Sequence, residues 1–411
     1  MANEELLLQV NPVFLTAKGC IGLMAGAGIE DAQKLIRYID MSALSSGKTT
    51  DTPAEISQAY SVNIEVRYNY SNLAAFASGC DVIVDLPCGY APRALAAARA
   101  GKQYYGFDLP AVINEMAPAV EKIVSEEEKK YIHFAAVDAT NYDSLRKALD
   151  GVTGKICIVM DGLVGFFTGP ELDSLVSNIH RLLDEFGGVW TTPDPYVNKI
   201  VSAVFTAVFG NSGIDIIKTM TEGSSKIANT NSGKNAMSNG SPDDAIKYLK
   251  QHGFETELVN YSDKLPIILS LGGDTEAMER LRKAYADIPQ MVIRAVSSDA
   301  QNKKQQRTGT GKFSVDMSVS GSELKCALSG RLDTITSPEL LQKFNETTGD
   351  SINKITVDLM ETEYISSAGL RVMLIMCKSL KEKREFSVIN YSKELKEIFD
   401  VTGFSEIFGI G

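Results

Sequence analysis

From residue 76 onward the apolar positions fall into two alternating kinds of run. Short continuous blocks, "DVIVDLP", "QYYGFD", "IHFAAVD", "KICIVMD" and "GVWTTPD", have the length and make-up of strands. Between them, "APRALAAARAGK", "AVINEMAPAVEKIVSEEEKK", "SLRKALD" and "GPELDSLVSNIHRLLDEF" read as helices. This alternation predicts a mostly parallel sheet with helices on both faces. Residues 1–75 are expected to be largely helical, through "EDAQKLIRYIDMSAL" and "TPAEISQAYSVNIEVRYNY". Further on, "SPDDAIKYLKQHGFETELVNY" predicts a helix capped by Ser241, with Pro242 at its first position and Gly253 at its end, and then a strand.

Two polar stretches interrupt the pattern. "SSDAQNKKQQRTGTGK", residues 297–312, has linker composition and no apolar period. "TEGSSKIANTNSGKNAMSNGS", residues 221–241, reads as a long loop or lid, because helix and strand resume after it. The expected organisation is therefore a domain over 1–296 (a helical segment 1–75, then an α/β core and lid over 76–296), a linker over 297–312 and a smaller α/β domain over 313–411. In the last, "SVDMSVSGSELKCALSG" predicts strand–turn–strand and "SPELLQKF" a helix. "KITVDLM" predicts a strand, "YISSAGLRVMLIMCKSLKEK" a helix, "EFSVINY" a strand and "SKELKEIFDVTGFSEIF" a closing helix.

Composition narrows the function. With 411 residues, 44% hydrophobic and 23% charged, the chain is expected to fold into more than one globular domain rather than remain disordered. A net charge of −11 argues against nonspecific nucleic-acid binding, which requires a basic surface. No apolar run reaches the roughly 20 residues of a membrane span, and the acidic start "MANEELLLQV" does not resemble a secretory signal. Six scattered cysteines and three histidines form no zinc-ligand spacing. A cytoplasmic protein with reduced cysteines is expected. His133, within a strand pattern, is expected in the core; Trp190 and Tyr196 flank the fifth strand end and are expected to pack.

Candidate chemistry gathers at strand ends, where open α/β sheets bind ligands. Asp85 closes the first strand, Gly89 permits a tight turn and Pro92 suits a helix start. Asp108 ends the second strand at the spacing expected of an acid that meets ribose hydroxyls, and Asp138 ends the third. Each acid alone is equally well explained as a strand-end or helix-cap carboxylate; the ordered set points to a nucleoside. A dinucleotide loop is disfavoured, because G-x-G-x-x-G is absent and Gly89 is the only glycine of the turn.

"DLPCGYAPR", "GFDLPAVI", "VDATN" and "MDGLVGFFTGPEL" resemble the successive motifs of class I methyltransferases related to leucine carboxyl methyltransferase, over roughly residues 60–200. The resemblance implies a Rossmann-like sheet that binds S-adenosylmethionine through Asp85 and Gly89 at the turn, Asp108 at the ribose and Asp138 near the adenine. It places Asp161 and Gly162 near the transferring methyl group and aligns Arg67 with an arginine that holds the methionine carboxylate. The chain departs from the pattern at Pro87 and Ala91, where glycines are usual, and no substrate-side residue maps. The implied acceptor is a small molecule methylated on oxygen, a carboxylate among the options, which would need no general base.

The C-terminal segment resembles the STAS domain of anti-sigma factor antagonists through "LSGRLDTITSPEL", "ITVDLMETEYISSAGLRVML" and "LKEIFDVTGFSEIF". This implies an anti-sigma factor with serine kinase activity as partner and phosphorylation of Ser367. The residue before it, commonly Asp in the family, is Ser366, the less favoured acceptor. A serine here also serves as a helix cap without any regulation. Three classes of function follow: a methyltransferase tied to a partner-switching pathway, a regulatory protein whose methyltransferase-like part senses S-adenosylmethionine or another ligand without turnover, and a scaffold.

Overall fold

The computed structural model describes residues 13–42, 54–217, 235–238, 240–296, 313–333, 336–349, 352–380 and 385–410. The linker expected over 297–312 lies outside them, as does most of the lid stretch. The chain divides into two compact units, one spanning Phe14–Ser297 and the other carrying the C-terminal segment from Ser298.

The first unit opens with helices α1 (Val13–Gly26), α2 (Glu30–Leu35) and α3 (Ala54–Ala77), in keeping with a helical N-terminal segment. Strands β1 (Val82–Asp85), β2 (Gln103–Asp108), β3 (Ile132–Ala136), β4 (Ile156–Val159) and β5 (Gly188–Thr192) alternate with helices α4 (Arg93–Arg99), α5 (Pro110–Glu121), α6 (Glu126–Lys129), α7 (Tyr142–Ala148) and α8 (Gly169–Phe186). Then follow α9 (Val197–Phe209), α10 (Pro242–Gln251), β6 (Phe254–Val259), α11 (Thr275–Tyr285) and β7 (Gln290–Ala295). The sheet order is β3-β2-β1-β4-β5-β7-β6. The first five strands run parallel, and β7 pairs antiparallel with both β5 and β6. Order reverses between β1 and β4, which puts the crevice of a doubly wound sheet at the carboxyl end of β1.

Local chemistry explains several boundaries. Central strands β1 and β4 are buried along their whole length, as their unbroken apolar runs require. Edge strand β3 has only β2 beside it, so His133 is exposed rather than in the core and stacks on Tyr105 at 4.5 Å between ring centres. The single helix expected over 111–130 is two, because Ser125 and Glu128 form a capping box that starts α6 afresh. Ser241, Pro242 and Gly253 behave as expected: Ser241 caps α10 and Gly253 takes a φ of +82°. Trp190 and Tyr196 are packed, Trp190 edge-on to Phe254 at 6.1 Å.

The second unit is a four-stranded sheet of order β11-β10-β9-β8: β8 (Ser314–Ser320), β9 (Glu323–Leu332), β10 (Lys354–Ile365) and β11 (Glu385–Ile389). β8 and β9 form an antiparallel hairpin; β9, β10 and β11 are parallel. Helices α12 (Ser337–Thr347), α13 (Ser367–Ser379), α14 (Lys393–Thr402) and α15 (Phe404–Phe408) complete it, and apolar residues from Val315 to Ile410 form its core.

Candidate functional site

Helix α3 determines how the strand ends of the first unit are arranged. Its segment "EVRYNYSN", residues 65–72, has a polar side chain at seven of eight positions, and six of the seven find described partners. Glu65 accepts the backbone N–H groups of Leu269 at 2.7 Å and Ser270 at 2.8 Å. Tyr70 donates its hydroxyl to the Ile288 carbonyl and accepts the Tyr261 N–H, both at 2.9 Å. These contacts fasten α3 to the approaches of β7, while Arg67, Tyr68, Ser71 and Asn72 face the strand ends.

The first strand end is closed from within. Asp85 is 1% exposed; its carboxylate is ion-paired with Arg93 and accepts the Tyr104 hydroxyl at 2.9 Å. The Arg93 Nε donates to Asn72 Oδ1 at 2.7 Å, and the guanidinium lies 5.7 Å from the centre of the Tyr68 ring. Burial pushes the Asp85 carboxyl up, and Arg93 opposes this. Both Asp85 oxygens are thus engaged inside the protein, where they hold the turn.

Gly89 and Asp108 meet at the first turn. Gly89 has a φ of +49°, a conformation that favours glycine, and its N–H donates to Asp108 Oδ2 at 2.8 Å. Asp108 Oδ1 accepts the Leu109 N–H at 2.7 Å. Burial pushes the Asp108 carboxyl up to about 6, against these two hydrogen bonds. Asp138, at the neighbouring strand end, is buried and accepts the N–H and the hydroxyl of Thr140, each at 2.7 Å. Asp85, Asp108 and Asp138 therefore close three adjacent strands along one rim.

Past the point where the strand order reverses, Arg67 is ion-paired with Asp161 and lies 3.7 Å from Asp194. Ser71 donates to Asp161 at 3.2 Å. Gly162, with a φ of +79°, is exposed, and a Cβ on it would lie 3.4 Å from the guanidinium. Asp194 accepts three consecutive backbone N–H groups, those of Gly162 at 2.7 Å, Leu163 at 3.1 Å and Val164 at 3.2 Å. Burial, then the neighbouring Asp161, pushes Asp194 up to about 6, with Arg67 opposing. Asn235 donates to the carbonyls of Val164 at 2.7 Å and Phe167 at 2.9 Å, so the 162–167 segment is gripped from two sides.

Helix α1 lies against the same rim. A Cβ on Gly89 would stand 3.7 Å from the Ala17 Cβ. Lys18 is fully buried and donates to Glu115 Oε1 at 2.7 Å and the Asp40 carbonyl at 2.8 Å. Cys20 lies in the field of Arg67 and Asp161, and burial pushes its thiol up. Among the described residues no set of histidine, cysteine and carboxylate side chains could hold a metal ion, and no helix is long and apolar enough to cross a membrane.

In the second unit, Ser366 is the N-cap of α13. It is 3% exposed, and its Oγ accepts the Gly369 N–H at 3.3 Å. Gly369 fits only without a side chain, because a Cβ would stand 2.7 Å from Leu332 Cγ and 2.8 Å from the Leu332 carbonyl oxygen. Ser367 is the first helical residue; its side chain lies outside the described residues. Glu361 and Glu363, in the strand leading to it, are exposed.

Sequence reasoning missed Asp194, Arg93 and Asn72, and the packing of α1 against the rim. The dense polar run of α3 was the available signal for buried partners, but it names none of them. Lys18, in an otherwise apolar helix, carried the same kind of hint.

Comparison with known proteins identifies residues 314–411 as a STAS domain. Over 93 residues the chain is 28% identical to "Putative anti-sigma factor antagonist BtrV" of Bordetella bronchiseptica, covering 22% of this chain and 79% of that protein. The first unit is similar in fold to an O-methyltransferase family protein from Burkholderia thailandensis (14% identity, TM-score 0.35, 68% of this chain and 73% of that one). It is also similar to human N-acetylserotonin methyltransferase, solved in complex with S-adenosylmethionine (13% identity, TM-score 0.33, 68% and 67%). The protein joins an α/β unit built on a seven-stranded mixed sheet to a C-terminal STAS domain.

Removing the buried cation should show how far the rim depends on it. Arg93→Ala strips the buried Asp85 carboxyl of its cation, and should destabilise the first unit by about 3–5 kcal/mol. Urea denaturation followed through the fluorescence of Trp190, the single tryptophan, reads the change. A loss below 1 kcal/mol would mean that the pair does not hold the turn.

Proposed function

We propose that the first unit binds S-adenosylmethionine at the rim of Gly89, Asp108, Asp138 and Gly162 and transfers its methyl group to an oxygen of a small molecule. The STAS domain, in this reading, docks an anti-sigma factor under the control of serine phosphorylation. The observation that carries the first half is the Gly89–Asp108 contact, which joins a tight strand–helix turn to the acid of the next strand. Each Asp108 oxygen already accepts one backbone N–H and has a further lone pair for a ribose hydroxyl. Asp138 would face the adenine side of the same rim.

The bound cofactor supplies a methyl group on positively charged sulfur, whose departure leaves a neutral thioether and needs no metal. The protein's part is to orient and to exclude water. Asp85 and Arg93 act from beneath, as supports of the turn rather than as cofactor contacts. Arg67, committed to Asp161 and Asp194, holds the 161–164 segment, and a role for it at the methionine carboxylate would require one of those carboxylates to yield. A carboxylate acceptor oxygen attacks without losing a proton, which suits a rim with no histidine among its described residues.

Ser367 is the favoured phosphoacceptor because Ser366 is buried and occupied with capping. Phosphate adds about −1.5 to −2 charges, which a helix N-terminus stabilises, to a face already acidic at Glu361 and Glu363, where a docked partner then meets repulsion and a desolvation cost. A regulatory reading, in which the first unit senses the cofactor without turnover, is supported by the burial of Asp85 and the engagement of Arg67.

Titration calorimetry of the full chain with S-adenosylmethionine should give one site per chain, and Asp108→Ala should weaken it at least tenfold. No heat with the unsubstituted protein would remove the cofactor reading. Incubation with an anti-sigma serine kinase of the same organism and ATP should label Ser367. Ser367→Ala should abolish labelling, and persistent label on Ser366 would overturn the choice of acceptor.

A further inference from the structure

We propose that Asp194 makes this rim prefer a cationic sulfonium ligand over the neutral thioether left after transfer. The inference rests on the reading of the rim as an S-adenosylmethionine site. It starts from a count of charges around one buried guanidinium. Arg67 faces two carboxylates, Asp161 and Asp194, and can neutralise only one of them. The groups facing this cluster from other elements do not cancel the surplus. Burial raises the pKa of the Cys20 thiol on α1, and that of Tyr285 on α11, so both stay neutral at pH 7. Ser71, on α3 with Arg67, contributes only a hydroxyl.

A surplus anion in a buried place needs support, and Asp194 has it in the N–H groups of Gly162, Leu163 and Val164. Those residues begin at exposed Gly162, where the reading places the reacting methyl group. During transfer the acceptor oxygen's lone pair forms the new C–O bond, and the C–S bonding pair remains on sulfur. The ligand therefore loses its positive charge while the protein keeps its negative one. Attraction to Asp194 is present before transfer and absent afterwards, which favours exchange of spent cofactor for fresh. Asp194 acts here as a positioning and charge-selecting residue, not as a group that exchanges protons with substrate.

The test compares S-adenosylmethionine and S-adenosylhomocysteine by calorimetry on the full chain at pH 7.5. Asp194→Asn, similar in shape but uncharged, should lower the ratio of their affinities about three- to tenfold, the size expected of one partly screened charge. Equal weakening of both ligands would mean that Asp194 only shapes the segment, and would overturn the proposal. Should the variant fail to melt cooperatively, the unsubstituted protein provides the second reading. Lowering the pH from 7.5 to 5 brings both raised carboxylates, Asp194 and Asp108, towards neutrality and should reduce the ratio; the same change in Asp108→Asn isolates the part due to Asp194, and an unchanged ratio there overturns the proposal. If the unsubstituted protein binds neither ligand, the cofactor reading itself has failed. If both bind and only the ratio is unmoved, the reading stands and the role of Asp194 falls.

Discussion

Asp85 ends a fully buried strand, where a charge is costly unless it is paired, and Arg93 is the cation that reaches it. The guanidinium is in turn held by Asn72 and Tyr68 of α3, so the turn after β1 is tied to a helix that precedes the sheet in the chain. The same helix places Arg67 between Asp161 and Asp194 at the far side of the crevice. One element therefore fixes the spacing of both halves of the rim. Its polar side chains are costly to bury unless each finds its partner, so the helix can seat in few positions.

This arrangement separates two roles that strand-end acids can play. Asp85 and Asp194 are anchored within the protein, the first by Arg93 and the Tyr104 hydroxyl, the second by three backbone N–H groups that hold it without cancelling its charge. Asp108 is oriented by backbone and keeps lone pairs for a ligand. Asp138 is buried and anchored to Thr140. Burial raises the pKa of Asp85, Asp108 and Asp194 alike, so position alone does not separate support from contact.

The sheet was legible because apolar runs and strand-end acids are local signals. "VIVDLPCGYAPR" carries a strand, a turn glycine and a helix start within twelve residues, and all three appear as read. What could not be read was pairing across sequence distance. Nothing in "APRALA" says that its arginine turns back onto Asp85, and nothing in "TTPDPY" says that Asp194 caps a loop some thirty residues earlier. His133 was misplaced for a related reason: strand character is local, but being the edge strand depends on the whole sheet order. In the STAS domain the serine–glycine motif proved to have two structural duties, the Ser366 cap and the close approach of Gly369 to Leu332.

What Asp108 faces decides whether this rim is a nucleoside site. A crystal structure of the full chain grown with S-adenosylhomocysteine measures this directly. Both ribose hydroxyls should lie within about 3 Å of the Asp108 carboxylate, with the Gly89 N–H still bound to it. Nucleoside density at another surface, or a ribose turned away from Asp108, would contradict that reading.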